Sequence, residues 1–180
     1  MADRGLTTGV LLVGGASARF GSPKPLVRLG GETLAERAWR ALGEACDERI
    51  AVGKSADALG LPFPVLDDAI DVRAPIAGVV AGLRAAAHDV AVILPVDTPL
   101  VTAELLRGLA AACRDAAITD NGPLPGAYRR AALPALEAAL ADGRLKLRDT
   151  LATLDTVIVD ADPELLANVN TPEELALLSG

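Results

Sequence analysis

The sequence predicts an α/β fold in which helices cover a mostly parallel sheet. The main sign is alternation: short β-branched runs are separated by longer Ala- and Leu-rich stretches of helical period. Apolar material is ample, at 51% hydrophobic residues and a mean hydropathy of +0.36, so the chain can bury a core. Only 2% of residues are aromatic, so that core is built from Ala, Val, Leu and Ile. A length of 180 residues fits one domain, 1–180.

The elements follow in order. Strands are expected at Thr8–Val13, Arg49–Val52, Val90–Pro95, Ala117–Thr119 and Thr156–Asp160, with a short extended piece at Pro64–Leu66. Thr33-Leu34-Ala35-Glu36 reads as a capping box, hydroxyl and carboxylate each satisfying an exposed N–H, and opens a helix to about Ala45. Pro75 opens a second helix to Ala87, Thr102 a third to about Arg114, and Leu133–Ala141 forms a fourth. Thr171-Pro172-Glu173-Glu174 is another capping box and starts the last helix. Asn121-Gly122-Pro123-Leu124-Pro125-Gly126 breaks the rhythm, as an insertion carrying one antiparallel strand would.

Charge and composition exclude several classes. Seventeen Lys and Arg against 24 Asp and Glu give a net charge of −7, which opposes binding to nucleic acid. No apolar run reaches the ~20 residues that cross a bilayer, and the first residues lack the layout of a secretory signal, so a cytoplasmic protein is expected. Cys46 and Cys113 lack metal-ligand spacing and read as buried thiols. A single histidine, His88, excludes any mechanism that needs two, and its place beside Asp89 at a helix end suits a surface or capping residue.

Four segments carry candidate chemistry. The first expected strand runs into Gly14-Gly15-Ala16-Ser17-Ala18-Arg19-Phe20-Gly21-Ser22-Pro23-Lys24, where small residues allow close backbone approach and Arg19 and Lys24 supply charge for a polyphosphate. The spacing matches neither the dinucleotide fingerprint nor the Walker motif. Leu94-Pro95-Val96-Asp97-Thr98-Pro99 places a stiffly held carboxylate at a strand end, suited to Mg²⁺ or to capping the next helix. In Ala167-Asn168-Val169-Asn170-Thr171, Asn168 and Asn170 can face one side of an extended segment; they either offer carbonyl oxygens to a ligand or bond local backbone. Asp67, Asp68 and Asp71 cluster just before Ala74-Pro75-Ile76-Ala77-Gly78.

Together these segments resemble the molybdenum cofactor guanylyltransferases (the molybdopterin-guanine dinucleotide biosynthesis protein A family) of the nucleotidyltransferase superfamily. Leu12-Val13-Gly14-Gly15-x-Ser17-x-Arg19-Phe20-Gly21-x-Pro23-Lys24 is similar to the family's signature loop, and the 74–78, 94–99 and 168–175 segments to its later motifs, in order. Gly126-Ala127-Tyr128-Arg129-Arg130, Leu136 and Gly143-Arg144-Leu145-Lys146 resemble its acceptor-side region.

The resemblance implies a Rossmann-like three-layer sandwich with the GT-A-like nucleotidyltransferase fold. It implies transfer of GMP from GTP to the phosphate of molybdopterin, with Mg²⁺ as cofactor, pyrophosphate as product and transient contacts with other cofactor-assembly proteins. Leu12, Val13, Gly14 and Gly15 then belong to the nucleotide loop, Lys24 to the phosphates, Asp97 to the metal, and Asp67 or Asp68 to the nucleotide site; Arg19, Lys24 and Asp97 form the catalytic set. Three positions depart from the family pattern: Val13 replaces a common Ala, Ala74 a usual Gly, and Gly53 an Asn that often contacts nucleotide. The alternatives are a cytidylyltransferase or another NTP transferase on a related phosphorylated acceptor, or a nucleotide-binding regulator without transfer activity. Gly14-Gly15 resembles the guanylyl branch, and Lys24 together with Asp97 speaks against a mere binder.

Overall fold

The computed structural model describes residues 5–14 and 20–178. Its centre is a seven-stranded sheet made of β1 (Thr7–Leu12), β4 (Glu48–Gly53), β5 (Val65–Asp67), β6 (Val90–Pro95), β7 (Ala116–Thr119), β8 (Gly122–Arg129) and β9 (Thr156–Val159), in the order β5-β4-β1-β6-β8-β7-β9. β1 pairs in parallel with β4 and β6, β4 with β5, and β7 with β9. β6 is a continuous run of apolar residues and β1 is buried along nearly its whole length, because both faces of the sheet are covered.

Two apolar layers flank the sheet. One joins Leu11, Leu94 and Ala117 to α1 (Leu34–Ala45) and α3 (Ala103–Ala112). The other joins Val10, Ile93 and Tyr128 to α2 (Pro75–Ala85), α4 (Leu133–Ala141) and α5 (Leu147–Leu151). The expected three-layer α/β sandwich with a mostly parallel sheet is therefore observed. β1 is gripped closely from both sides. A Cβ at Gly9 would lie 2.9 Å from Leu42 of α1, and a Cβ at Gly82 of α2 would lie 2.7 Å from Val10. Glycine at these positions lets helix and strand backbones approach more closely than a side chain permits.

Both capping boxes form, at Thr33–Glu36 and at Thr171–Glu174, the latter opening α6 (Pro172–Leu177). The expected interruption after Ile118 is an eight-residue strand, β8, antiparallel to both β6 and β7. Two elements lie outside the alternation. A hairpin of β2 (Arg28–Leu29) and β3 (Glu32–Thr33) turns on Gly30 and Gly31, whose φ values of 60° and 88° suit the tight hairpin turn that favours a Gly-Gly pair. The short α5 returns the chain from α4 to β9.

Cys113 is buried and Cys46 half-buried; no disulfide joins them, and both end helices rather than lying within them. Burial pushes the Cys113 thiol up to about 11, consistent with an inert packing role. His88 donates its backbone N–H to the Thr8 hydroxyl in the turn leading into β6, at the opposite edge of the sheet from Asp97. Among the described residues, no helix is long and apolar enough to cross a membrane.

Candidate active site

Open parallel sheets bind ligands at the carboxyl ends of their strands, and a cleft of about 450 Å³ opens there. Its floor is Leu12 and Gly14 at the end of β1, Val52 and Gly53 of β4, and Pro95 and Asp97 at the end of β6. Lys54, Asp68 and Arg73 form one wall, and Leu124 of β8 closes another side. Gly14 has open space around its Cα, so a ligand can reach its backbone.

At the β6 end, three sequence-predicted residues come together from remote parts of the chain. Lys24 Nζ donates to Asn170 Oδ1 at 2.8 Å and lies 3.6 Å from Asp97 Oδ2. The loop bearing Asn170 is fastened beneath them: Val169, fully buried, donates its N–H to the Asp97 carbonyl at 2.8 Å. Glu174 accepts from the backbone N–H groups of Asn170 and Thr171. Helix capping therefore accounts for Thr171 and Glu174, while the Asn170 amide side chain serves Lys24. Asn168, two residues earlier, is exposed and is not part of the Lys24–Asn170–Asp97 contacts.

Asp97 does not cap the following helix. That role belongs to Thr102, whose hydroxyl accepts from Leu105 N–H, and Thr98 folds its hydroxyl back to the Pro95 carbonyl. With 29% of its side chain exposed, the Asp97 carboxylate faces the cleft with Lys24 alongside. No group of three or more metal-binding side chains exists among the described residues. A single carboxylate at the edge of this cleft fits Mg²⁺, which keeps several waters and takes its remaining ligands from substrate phosphates.

The pair Asp67 and Asp68 is resolved by the alternation of side chains along a strand. Asp67, exposed, is turned away to Ser55, accepting from its hydroxyl and its N–H, and to the Ala69 N–H. The Ser55 hydroxyl bond is the largest influence holding its carboxyl down to about 2. Asp68 lines the cleft instead and accepts from Lys54 Nζ at 2.7 Å. Asp71 is exposed and lies off the cleft. Of the loop residues expected at the site, Leu12 and Gly14 line the cleft, whereas Val13 is buried beneath it, its N–H bonded to the Val52 carbonyl. Gly15 and Arg19 lie outside the described residues.

Lys54 and Arg73 escape sequence reasoning, because a lone cation after a strand or before a helix carries no pattern. The acceptor-side resemblance of Gly126–Arg130 needs correcting for its arginines. Since β8 runs antiparallel, Arg129 pairs with Val90, at the edge of the sheet opposite Asp97. Arg129 there binds Asp89 and the Arg114 carbonyl, and Arg130 binds the Ala86 carbonyl. Both are structural ties.

The chain matches the MobA-like NTP transferase domain over residues 9–157. It belongs to that family. Members of the family are nucleotidyltransferases, and so is this protein. It is 33% identical to a probable molybdenum cofactor guanylyltransferase of Chloroflexus aggregans, aligned over 96% of this chain and 93% of the relative. It is 36% identical to the molybdenum cofactor guanylyltransferase of Burkholderia vietnamiensis, over 96% and 95%. Among solved structures, molybdopterin-guanine dinucleotide biosynthesis protein A of Archaeoglobus fulgidus superposes with a TM-score of 0.80 at 29% identity, covering 96% of each chain. The 2-C-methyl-D-erythritol 4-phosphate cytidylyltransferase of Thermus thermophilus, at 18% identity and a TM-score of 0.71, shares the fold. The expected nucleotidyltransferase fold and family are thus observed.

Proposed function

We propose that this nucleotidyltransferase transfers GMP from GTP to the phosphate of molybdopterin and releases pyrophosphate. The observation that carries the reading is the convergence of Lys24, Asn170 and Asp97 at one end of a cleft floored by Gly14. The names of the relatives at 33% and 36% identity support the choice of substrates.

The nucleotide lies across the strand ends, with its triphosphate toward β6. Lys24, fixed by Asn170, presents its ammonium to the phosphates and offsets charge that builds on the departing pyrophosphate. Asp97 is the residue that would hold Mg²⁺. When bound, the ion would neutralise charge on the phosphates. The acceptor phosphate is ionised at neutral pH, so its oxygen attacks the α-phosphorus without a general base. The new P–O bond forms as the bond from the α-phosphorus to the bridging oxygen breaks, and that oxygen leaves with pyrophosphate. The cleft's residues need only position and neutralise.

Incubation with Mg²⁺, molybdopterin and each of the four labelled NTPs tests the reading. The expected product is a guanine dinucleotide formed from GTP, with CTP used far less well. A cytidylyl product would instead assign the cytidylyltransferase alternative, and no product from any NTP would assign a binding protein.

A further inference from the structure

On the cleft wall away from Asp97, β4 and β5 run in parallel with Gly53 opposite Asp67, so the next residues, Lys54 and Asp68, emerge side by side. Lys54 Nζ donates to Asp68 Oδ1 at 2.7 Å and to the carbonyl of Ile70; the N–H of Ile70 donates to the same Oδ1 at 3.0 Å. Both side chains are largely shielded, at 15% and 9% exposure, and both line the cleft. The other cation of this wall, Arg73, is committed to Asp57 at 2.9 Å.

Counting donors and acceptors leaves a short remainder. An ammonium has three N–H donors and a carboxylate two oxygens. Two of the Lys54 donors are engaged, and Asp68 Oδ2 accepts from nothing among the described residues. The pair therefore offers one donor beside one acceptor, held in place by the carbonyl and N–H of Ile70. β4 lies two strand spacings from β6, about 10 Å. That separation suits a base at this end when the phosphates lie at Lys24 and Asp97.

We propose that Lys54 is a specificity-determining residue that donates to the 6-oxo oxygen of guanine. Asp68 beside it accepts from the neighbouring ring N–H and 2-amino group. The inference rests on the GTP reading given above. Guanine presents oxygen, N–H and amino group along one edge, which matches a donor followed by an acceptor. Adenine and cytosine present an amino group followed by a bare ring nitrogen, reversing both contacts and leaving polar groups unpaired. Uracil matches the first two positions and lacks the amino group.

The test is equilibrium titration of GTP and of 6-thio-GTP, with Mg²⁺, into wild type and Lys54→Met. Sulfur at position 6 weakens only the acceptor that Lys54 addresses. Wild type is expected to bind 6-thio-GTP about tenfold more weakly than GTP, and Lys54→Met to bind the two alike. Lys54→Leu, which likewise lacks a donor, gives the same result should the methionine variant not fold. Equal binding of both nucleotides by wild type, or a tenfold ratio that survives in the variants, overturns the proposal. A residue that merely pins the 68–70 loop would weaken both nucleotides in parallel and keep the ratio. Failure of wild type to bind GTP at all overturns the guanylyl reading itself, and is visible before any variant is made.

Discussion

Val13 occupies the space that a side chain at Gly53 would need: a Cβ on Gly53 would sit 2.8 Å from Val13 Cγ2. Val13 is 2% exposed and β-branched, so it cannot swing aside. Val13 and Gly53, the two positions at which Ala and Asn were expected from the family resemblance, therefore share one space. Gly53→Asn alone is expected to destabilise by about 1–3 kcal/mol through overpacking. Adding Val13→Ala should make the double variant more stable than the sum of the single effects by about 1 kcal/mol. Urea denaturation of the three variants measures this coupling.

Asp97→Asn keeps the shape of the turn and removes the charge a metal needs. Because Thr102 caps α3, thermal stability is expected to change by no more than a few tenths of a kcal/mol. Turnover is expected to fall at least ~10²-fold. Steady-state kinetics together with a melting curve decides it: a stable, fully active variant would refute the assignment.

Lys24→Ala removes the ammonium held between Asn170 and Asp97. Nucleotide affinity is expected to drop by about 1.5–3 kcal/mol, the range for a hydrogen bond to a charged group, with slower transfer as well. Asn170→Ala leaves the charge and loosens its placement, so its effect on affinity should be smaller. Unchanged GTP affinity and turnover in Lys24→Ala would remove Lys24 from the nucleotide site.

The depressed carboxyl of Asp67 gives a pH signature. Its value falls from 3.8 to about 2, first through the Ser55 hydroxyl bond and then the Ala69 and Ser55 N–H groups. A lowered folded-state pKa contributes stability that is present above the unfolded value and lost as pH falls through the folded one. The difference in urea midpoint between wild type and Asp67→Ala is therefore expected to be constant above about pH 5 and to shrink between about pH 4 and 2. Midpoints measured down the pH scale would expose a flat difference, which would contradict the assigned hydrogen bonds.

Much of the fold was legible because its central parts obey local rules. β6 is a short apolar run, β1 and β4 each carry one in their second half, and both capping boxes follow from a hydroxyl three residues before a glutamate. The broken rhythm at Asn121–Gly126 announced an antiparallel strand, but Gly122, Pro123, Pro125 and Gly126 hid its extent, since pairing with neighbours on both sides is what carries β8 through them. α5, with five residues, is too short to display a helical period. At the site, Lys24, Asp97 and Asn170 each belonged to a recognisable segment. The choice between Asp67 and Asp68 needed the pleat of β5, and Lys54 needed the partner across from it. Local sequence carries no record of a pairing formed between adjacent strands.

The tie between Val169 and the Asp97 carbonyl has a consequence for how the protein is made. Synthesis delivers β1, β4, β5 and β6 early, so the parallel half of the sheet and most of the cleft floor can assemble while the ribosome is still translating. Asn170 arrives some seventy residues after Asp97, and until its loop docks, Lys24 lacks the amide that positions it. The loop that positions Lys24 is thus the last part of the site to be made, after every strand of the sheet.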